Sequence, residues 1–232
     1  MPWAATRIPP NIALVGTVNV DETTHQFSRK VLDRAFTIEL AEIDLEMLPP
    51  RRSVNAPADI TPKSLWPISF WLATHRRLSD LDATVPETQA ILDRVNNVLS
   101  QLNTALNRTQ MQVGYRVRDE IAIFVYHSQL LFAGFRTHSG TIIDALDAAL
   151  LMKILPRIVG SSHGIRRLLT DLLGIAQTGR LPNGELSAGW IGESAEQIVD
   201  AAGTEVLFPL FFARLMLMLR RLDSEGYTSF WI

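Results

Sequence analysis

From Pro86 to Leu222 apolar residues return at three- and four-residue spacing, and this constrains the fold more than any other feature. A helix beginning after Pro86 places Ile91, Val95, Val98, Leu99, Leu102 and Leu106 on one face. Another begins at Gly114-Tyr115-Arg116, with Val117, Ile121, Phe124 and Val125 as its apolar side. Residues 139–154 predict the next, carrying Ile142, Leu146, Ala149, Leu150 and Ile154 and stopped by Pro156 and Gly160. Helices are also expected over 163–176, 194–202 and 208–222, with a loop over 177–193. Upstream, Leu65, Ile68, Trp71 and Leu72 carry the helical pattern back to Ser64. Residues 46–63, with Pro49 and Pro50 just N-terminal to mixed charges and Pro57 and Pro62, read as a linker.

The N-terminal part has a different grammar. Pro9-Pro10 favour an extended entry over residues 1–10. A strand is expected over 11–17, a short helix over 26–35, and a second strand over 36–41, where Phe36, Ile38 and Leu40 alternate with Thr37 and Glu39. The run Ile12–Val15 breaks at Gly16 and is followed by Thr17, Asn19, Asp21 and Glu22. A buried parallel strand delivers polar groups to a ligand from its carboxyl end in this way. The expected fold class is therefore α/β at the N-terminus, then mostly α.

Composition narrows the function. Hydrophobic residues make up 47%, enough for a real core. A net charge of −2 argues against a general nucleic-acid binder. Cysteine is absent, which excludes disulfides and thiolate metal sites, and the five histidines lack ligand spacing, so no metal site is expected. The start, MPWAATRIPP, has no apolar secretory core. The most apolar stretch, residues 206–219, contains Pro209 and Arg214 and is too short for a bilayer. A cytoplasmic protein with no membrane partner is expected.

The stretch IALVGTVNVDETTHQFSRKVLDRAFTIEL, residues 12–40, resembles the sensor-1 to arginine-finger segment of AAA+ nucleoside triphosphatases. The likeness is to the McrB-like branch, the motor of modified-cytosine restriction systems. GYRVRDEI, KILPRIVGS and YTSFW, in that order downstream, are similar to lid segments of the same branch. The resemblance implies a partial nucleotide core with its last strands over 1–45, the linker over 46–63, and a helical lid over 64–232. It implies a homo-oligomeric ring that uses ATP or GTP with Mg2+, drives a partner nuclease and meets DNA indirectly. The residues after the sensor asparagine, DETT, differ from those of the branch's GTPases, so the nucleotide stays open.

By that resemblance Asn19 is sensor 1, an amide able to accept from the attacking water and donate to a phosphate oxygen. Alone, an asparagine after a strand reads as a turn residue. Arg34 matches the arginine finger given to a neighbouring subunit, where a permanently charged fork stabilises transition-state charge. Its ordinary reading is a surface arginine paired with Asp33 or Glu39. Asp21 and Glu22 fit a second shell around magnesium or water, or equally a solvated loop. Arg116 matches a lid arginine reaching nucleotide phosphates, or pairs with Glu120 one helical turn on. A motor also needs a G-x-x-x-x-G-K-[ST] loop, and the 232 residues contain none. The chain is thus expected to be the C-terminal part of such a motor and inactive alone, with no cofactor of its own. A helical interaction module or a non-functional truncation is the alternative.

Overall fold

A computed structural model describes residues 14–18, 27–39, 77–129, 135–136, 140–182 and 206–231, and these are mostly helical. The chain divides into two units, Met1–Val18 with Ile38–Arg76, and Asn19–Thr37 with Arg77–Ile232. In the first, residues 14–18 and 38–39 have no regular secondary structure, and Leu14, Val15 and Ile38 are exposed.

The second unit carries the helices. After α1 (Arg29–Leu32) come α2 (Pro86–Asn107), α3 (Tyr115–Ser128), α4 (Ala145–Lys153), α5 (His163–Thr178) and α6 (Pro209–Glu225). Proline opens α2 and α6, where its missing N–H costs nothing. The Asp144 side chain caps α4 by accepting from Leu146 N at 2.8 Å, and Ser162 caps α5 by accepting from Ile165 N at 3.3 Å. Gly179 and Gly226 end α5 and α6 at φ +73° and +72°, the left-handed turn that glycine adopts without strain.

Over the described residues from Pro86 onward the helix pattern read from the sequence holds, apart from one late start. The helix expected from residue 139 begins at Ala145, because Ile142–Ile143 (β2) pair antiparallel with Phe135–Arg136 (β1). The helical readings over 64–72 and 194–202 fall outside the described residues. Neither N-terminal strand appears in its described part, residues 14–17 and 36–39. A strand exists only through a partner's backbone groups. Thr37 N instead donates to Met152 O at the end of α4, at 3.2 Å. The helix expected over 26–35 shrinks to the single turn of α1.

Packing closes the long helices into a cycle. α2 lies against α3 and α5, α3 against α4, α4 against α6, and α6 against α5. Val95, Leu102, Ile121, Leu150, Leu172 and Phe211 fill the middle, each at most 1% exposed. Isolated helices of this length are marginal in water, so their stability comes from this shared interior. Two short segments distant in sequence also meet. Val159–Gly160 (β3) pairs antiparallel with Thr228–Ser229 (β4), and Phe230 is buried beyond it. No helix among the described residues is long and apolar enough to cross a membrane.

Asp147 is buried inside this cycle. From α4 it accepts from Leu210 N at 2.8 Å and Phe211 N at 2.9 Å, satisfying free donors at the start of α6. Burial pushes its carboxyl up to about 7, against the pull of the Phe211 and Leu210 amides.

Candidate functional site

Residues 27–37 form a strap across the helical unit, held along most of its length by groups from several elements. The Phe27 ring lies 5.8 Å from that of Trp231. Arg29 Nη1 donates to Gln110 O at 3.4 Å. Leu32 is the buried residue of α1. Phe36 stacks on Phe124 of α3 with ring centroids 5.1 Å apart. These residues, which the resemblance places in a nucleotide core ending at residue 45, pack with the helices. Leu32 and Phe36 bury apolar surface there, and Thr37 spends its amide there.

Lys153, the last residue of α4, organises the strap's end. It is 1% exposed, and a buried ammonium requires partners on several sides. Its Nζ donates to Asp33 O and Ala35 O, each at 3.1 Å. It forms an ion pair with Glu120 of α3 and lies 4.7 Å from the Phe36 ring centroid. The two carbonyls flank Arg34, whose own side chain is exposed. One buried cation therefore fixes the backbone on both sides of a solvent-facing guanidinium.

Arg157 supports the same segment. Its Nη2 is 3.2 Å from Asp33 Oδ1 and donates to Gln112 O at 3.3 Å. The Asp33 contact has the distance of an ion pair without hydrogen-bond alignment, and Arg157 Nε and Nη1 are buried without an acceptor. Burial pulls the pKa of this guanidinium below its ordinary value, Asp33 opposes the fall and Arg29 adds to it.

Of the residues singled out in the sequence, Arg34 is exposed in the turn after α1, and Asp33 turns to Arg157 rather than to Arg34. Arg116 is exposed in the first turn of α3. Glu120, the alternative partner for Arg116, pairs with the buried Lys153. Arg118 pairs with Asp119 and lies over the Tyr115 ring at 4.9 Å. Asn19, Asp21 and Glu22 lie outside the described residues. No contact brings Arg116 and Arg34 together among the described residues.

Lys153 and Arg157 carry the local geometry, yet the sequence marks them only faintly. The signal is a lysine inside ALLMKILP, an apolar run with no solvent face to spare. KILPRIVGS and YTSFW, distant in sequence from LDRA, each send a residue to the strap, Lys153 and Trp231, and Glu120 of GYRVRDEI pairs with Lys153.

The described residues contain no group of three or more acidic or histidine side chains able to hold a metal ion. What the strap offers is a positioned, exposed cation. A family model described as a domain of unknown function, DUF8727, matches residues 68–227. No curated protein and no solved structure matches the chain.

Proposed function

The chain belongs to the DUF8727 family, whose model matches residues 68–227. From the resemblance carried by residues 12–40 we propose that it is the C-terminal part of an McrB-like AAA+ motor acting in restriction or anti-phage defence in the cytoplasm. In this reading the helical unit is the lid, and Arg34 is the finger given to a neighbouring subunit. Asn19 orients the attacking water, with Asp21 and Glu22 behind it, and Arg116 meets the phosphates of the bound nucleotide. The phosphate loop comes from another segment or subunit, and ATP or GTP with Mg2+ binds only in the completed ring. A partner nuclease couples the ring to DNA.

One observation carries the reading. Arg34 is exposed while the carbonyls on both sides of it are held by a buried lysine. A finger acts across an interface, so it needs an exposed head on a fixed backbone. An incidental surface arginine is exposed too, but needs no fixed backbone.

A second reading, a helical interaction module without nucleotide chemistry, is favoured by the missing strand pairing at 14–18 and 36–39. Purification of the chain from its source cells separates the two. The motor reading expects a phosphate-loop segment, joined or bound, in a ring-sized particle that hydrolyses ATP or GTP. A stable monomer with neither nucleotide affinity nor such a partner overturns it.

A further inference from the structure

We infer that Lys153, itself paired with Glu120, is a positioning residue for Arg34, and that the hold of the helical unit on the backbone around Arg34 depends chiefly on this one lysine. The inference deepens the proposed function and rests on it for the role of Arg34, but its geometry stands alone. Lys153 Nζ reaches the carbonyls immediately before and after Arg34, each at 3.1 Å. Those bonds span roughly 120 residues of sequence, so they serve tertiary placement and not the local helix. A helix-ending lysine normally turns its ammonium to water near the last carbonyls. This one turns inward to the strap at 1% exposure.

The surrounding contacts explain why the strap depends on this one group. Arg157 meets Asp33 without hydrogen-bond alignment and keeps two donors unpartnered. Arg29 contributes one long bond, at 3.4 Å. α1 is a single turn with one buried residue, too short to hold itself. Apart from the local backbone bonds of α1 and its turn, the aligned polar bonds that tie the strap near Arg34 to the helices are those of Lys153 and the Thr37–Met152 backbone bond. The charged partner of Lys153 is Glu120, from α3, in an ion pair that also lacks hydrogen-bond alignment, and the first turn of α3 carries Arg116. A displacement of α3 is therefore felt by the lysine that fixes Arg34.

Trypsin reads this restraint directly in the full chain, because cleavage after Arg34 requires the strap to leave the helical unit. The comparison is the initial rate of the Arg34–Ala35 cut in wild type, Lys153→Met and Glu120→Gln. The Arg180–Leu181 cut and the thermal midpoint are internal references. Lys153→Met keeps the stem volume and removes every charged bond. We expect its Arg34 cut to accelerate at least about tenfold over the Arg180 cut. Glu120→Gln, which leaves the carbonyl bonds in place, should accelerate it roughly threefold. If Lys153→Met does not fold, Glu120→Gln decides alone. Wild-type rates at Arg34, or equal acceleration at both cuts, would overturn the positioning role whatever Arg34 does. Release of the strap in these variants, with Arg34→Ala leaving hydrolysis by the native particle unchanged, would instead sink the finger reading and keep the positioning.

Discussion

Replacing Asp147 by Asn asks whether burial or the start of α6 controls this carboxyl. Asp147 is fully buried, and its two oxygens accept from Leu210 N and Phe211 N. The ordinary value is 3.8, and burial pushes it up to about 7. At about 1.36 kcal/mol per pH unit that rise is worth ~4 kcal/mol. The folded state holds the proton more tightly than the unfolded state. The stabilisation is therefore fully present below pH 3.8 and lost as pH rises through about 7. Asparagine does not titrate, and the remaining carboxylates titrate nearly alike in both proteins and largely cancel. Asp144 and Arg94 are the nearby charges, and they act on Asp147 in opposite directions. Urea unfolding of both proteins from about pH 4 to about pH 8 gives the difference directly. The wild-type advantage should shrink by up to ~4 kcal/mol across that range. The asparagine NH2 group, facing helix-end donors, adds an offset of roughly 1–2 kcal/mol that leaves the slope unchanged. A flat difference, or one growing with pH, would refute the reasoning. It would mean that the two amides and the field of α6 keep Asp147 ionised despite its burial.

Other perturbations test separate parts of the structure. A Cβ on Gly174 would lie 2.5 Å from Pro182 Cγ, so Gly174→Ala should lose about 1–3 kcal/mol to overpacking, more than the roughly 1 kcal/mol gained in helix propensity. Its thermal midpoint should fall and recover when Pro182→Ala is added; an unchanged midpoint counts against the contact. Leu102→Ala, at 0% exposure in the centre of the cycle, should cost roughly 3–5 kcal/mol in urea unfolding. Arg116→Ala, an exposed change, should alter stability by no more than about 0.5 kcal/mol while weakening nucleotide binding by the completed motor. Comparable losses of fold and binding would make Arg116 structural. The isolated chain should hydrolyse ATP and GTP no faster than a protein without a phosphate loop, and measurable turnover would contradict the account.

The long helices were legible because a helix writes its buried face into its own sequence. Ile91, Val95, Leu99 and Leu102 announce α2 without reference to any other segment. The cap at Asp144 was not legible, because the helix was expected to begin at residue 139. The strands were not, since alternation over 36–41 states a preference that only a neighbouring strand can satisfy. Thr37 found Met152 instead. Arg34 and Arg116 could be singled out from motif order, and both are exposed. The lysine that fixes Arg34 could not, because its bonds join residues 118 and 120 positions apart. Periodicity carries no information on such contacts. The burial of Asp147 was hidden likewise: its local spacing suits a helix start, and only the approach of α6 makes it a cap for another helix.

The most direct test of the account is nucleotide hydrolysis by the native particle carrying Arg34→Ala. We predict that kcat falls at least about a hundredfold while nucleotide affinity stays within about twofold, since a finger acts on the transition state and not on binding. Unchanged turnover, or equal loss of binding and turnover, would contradict the role given to Arg34.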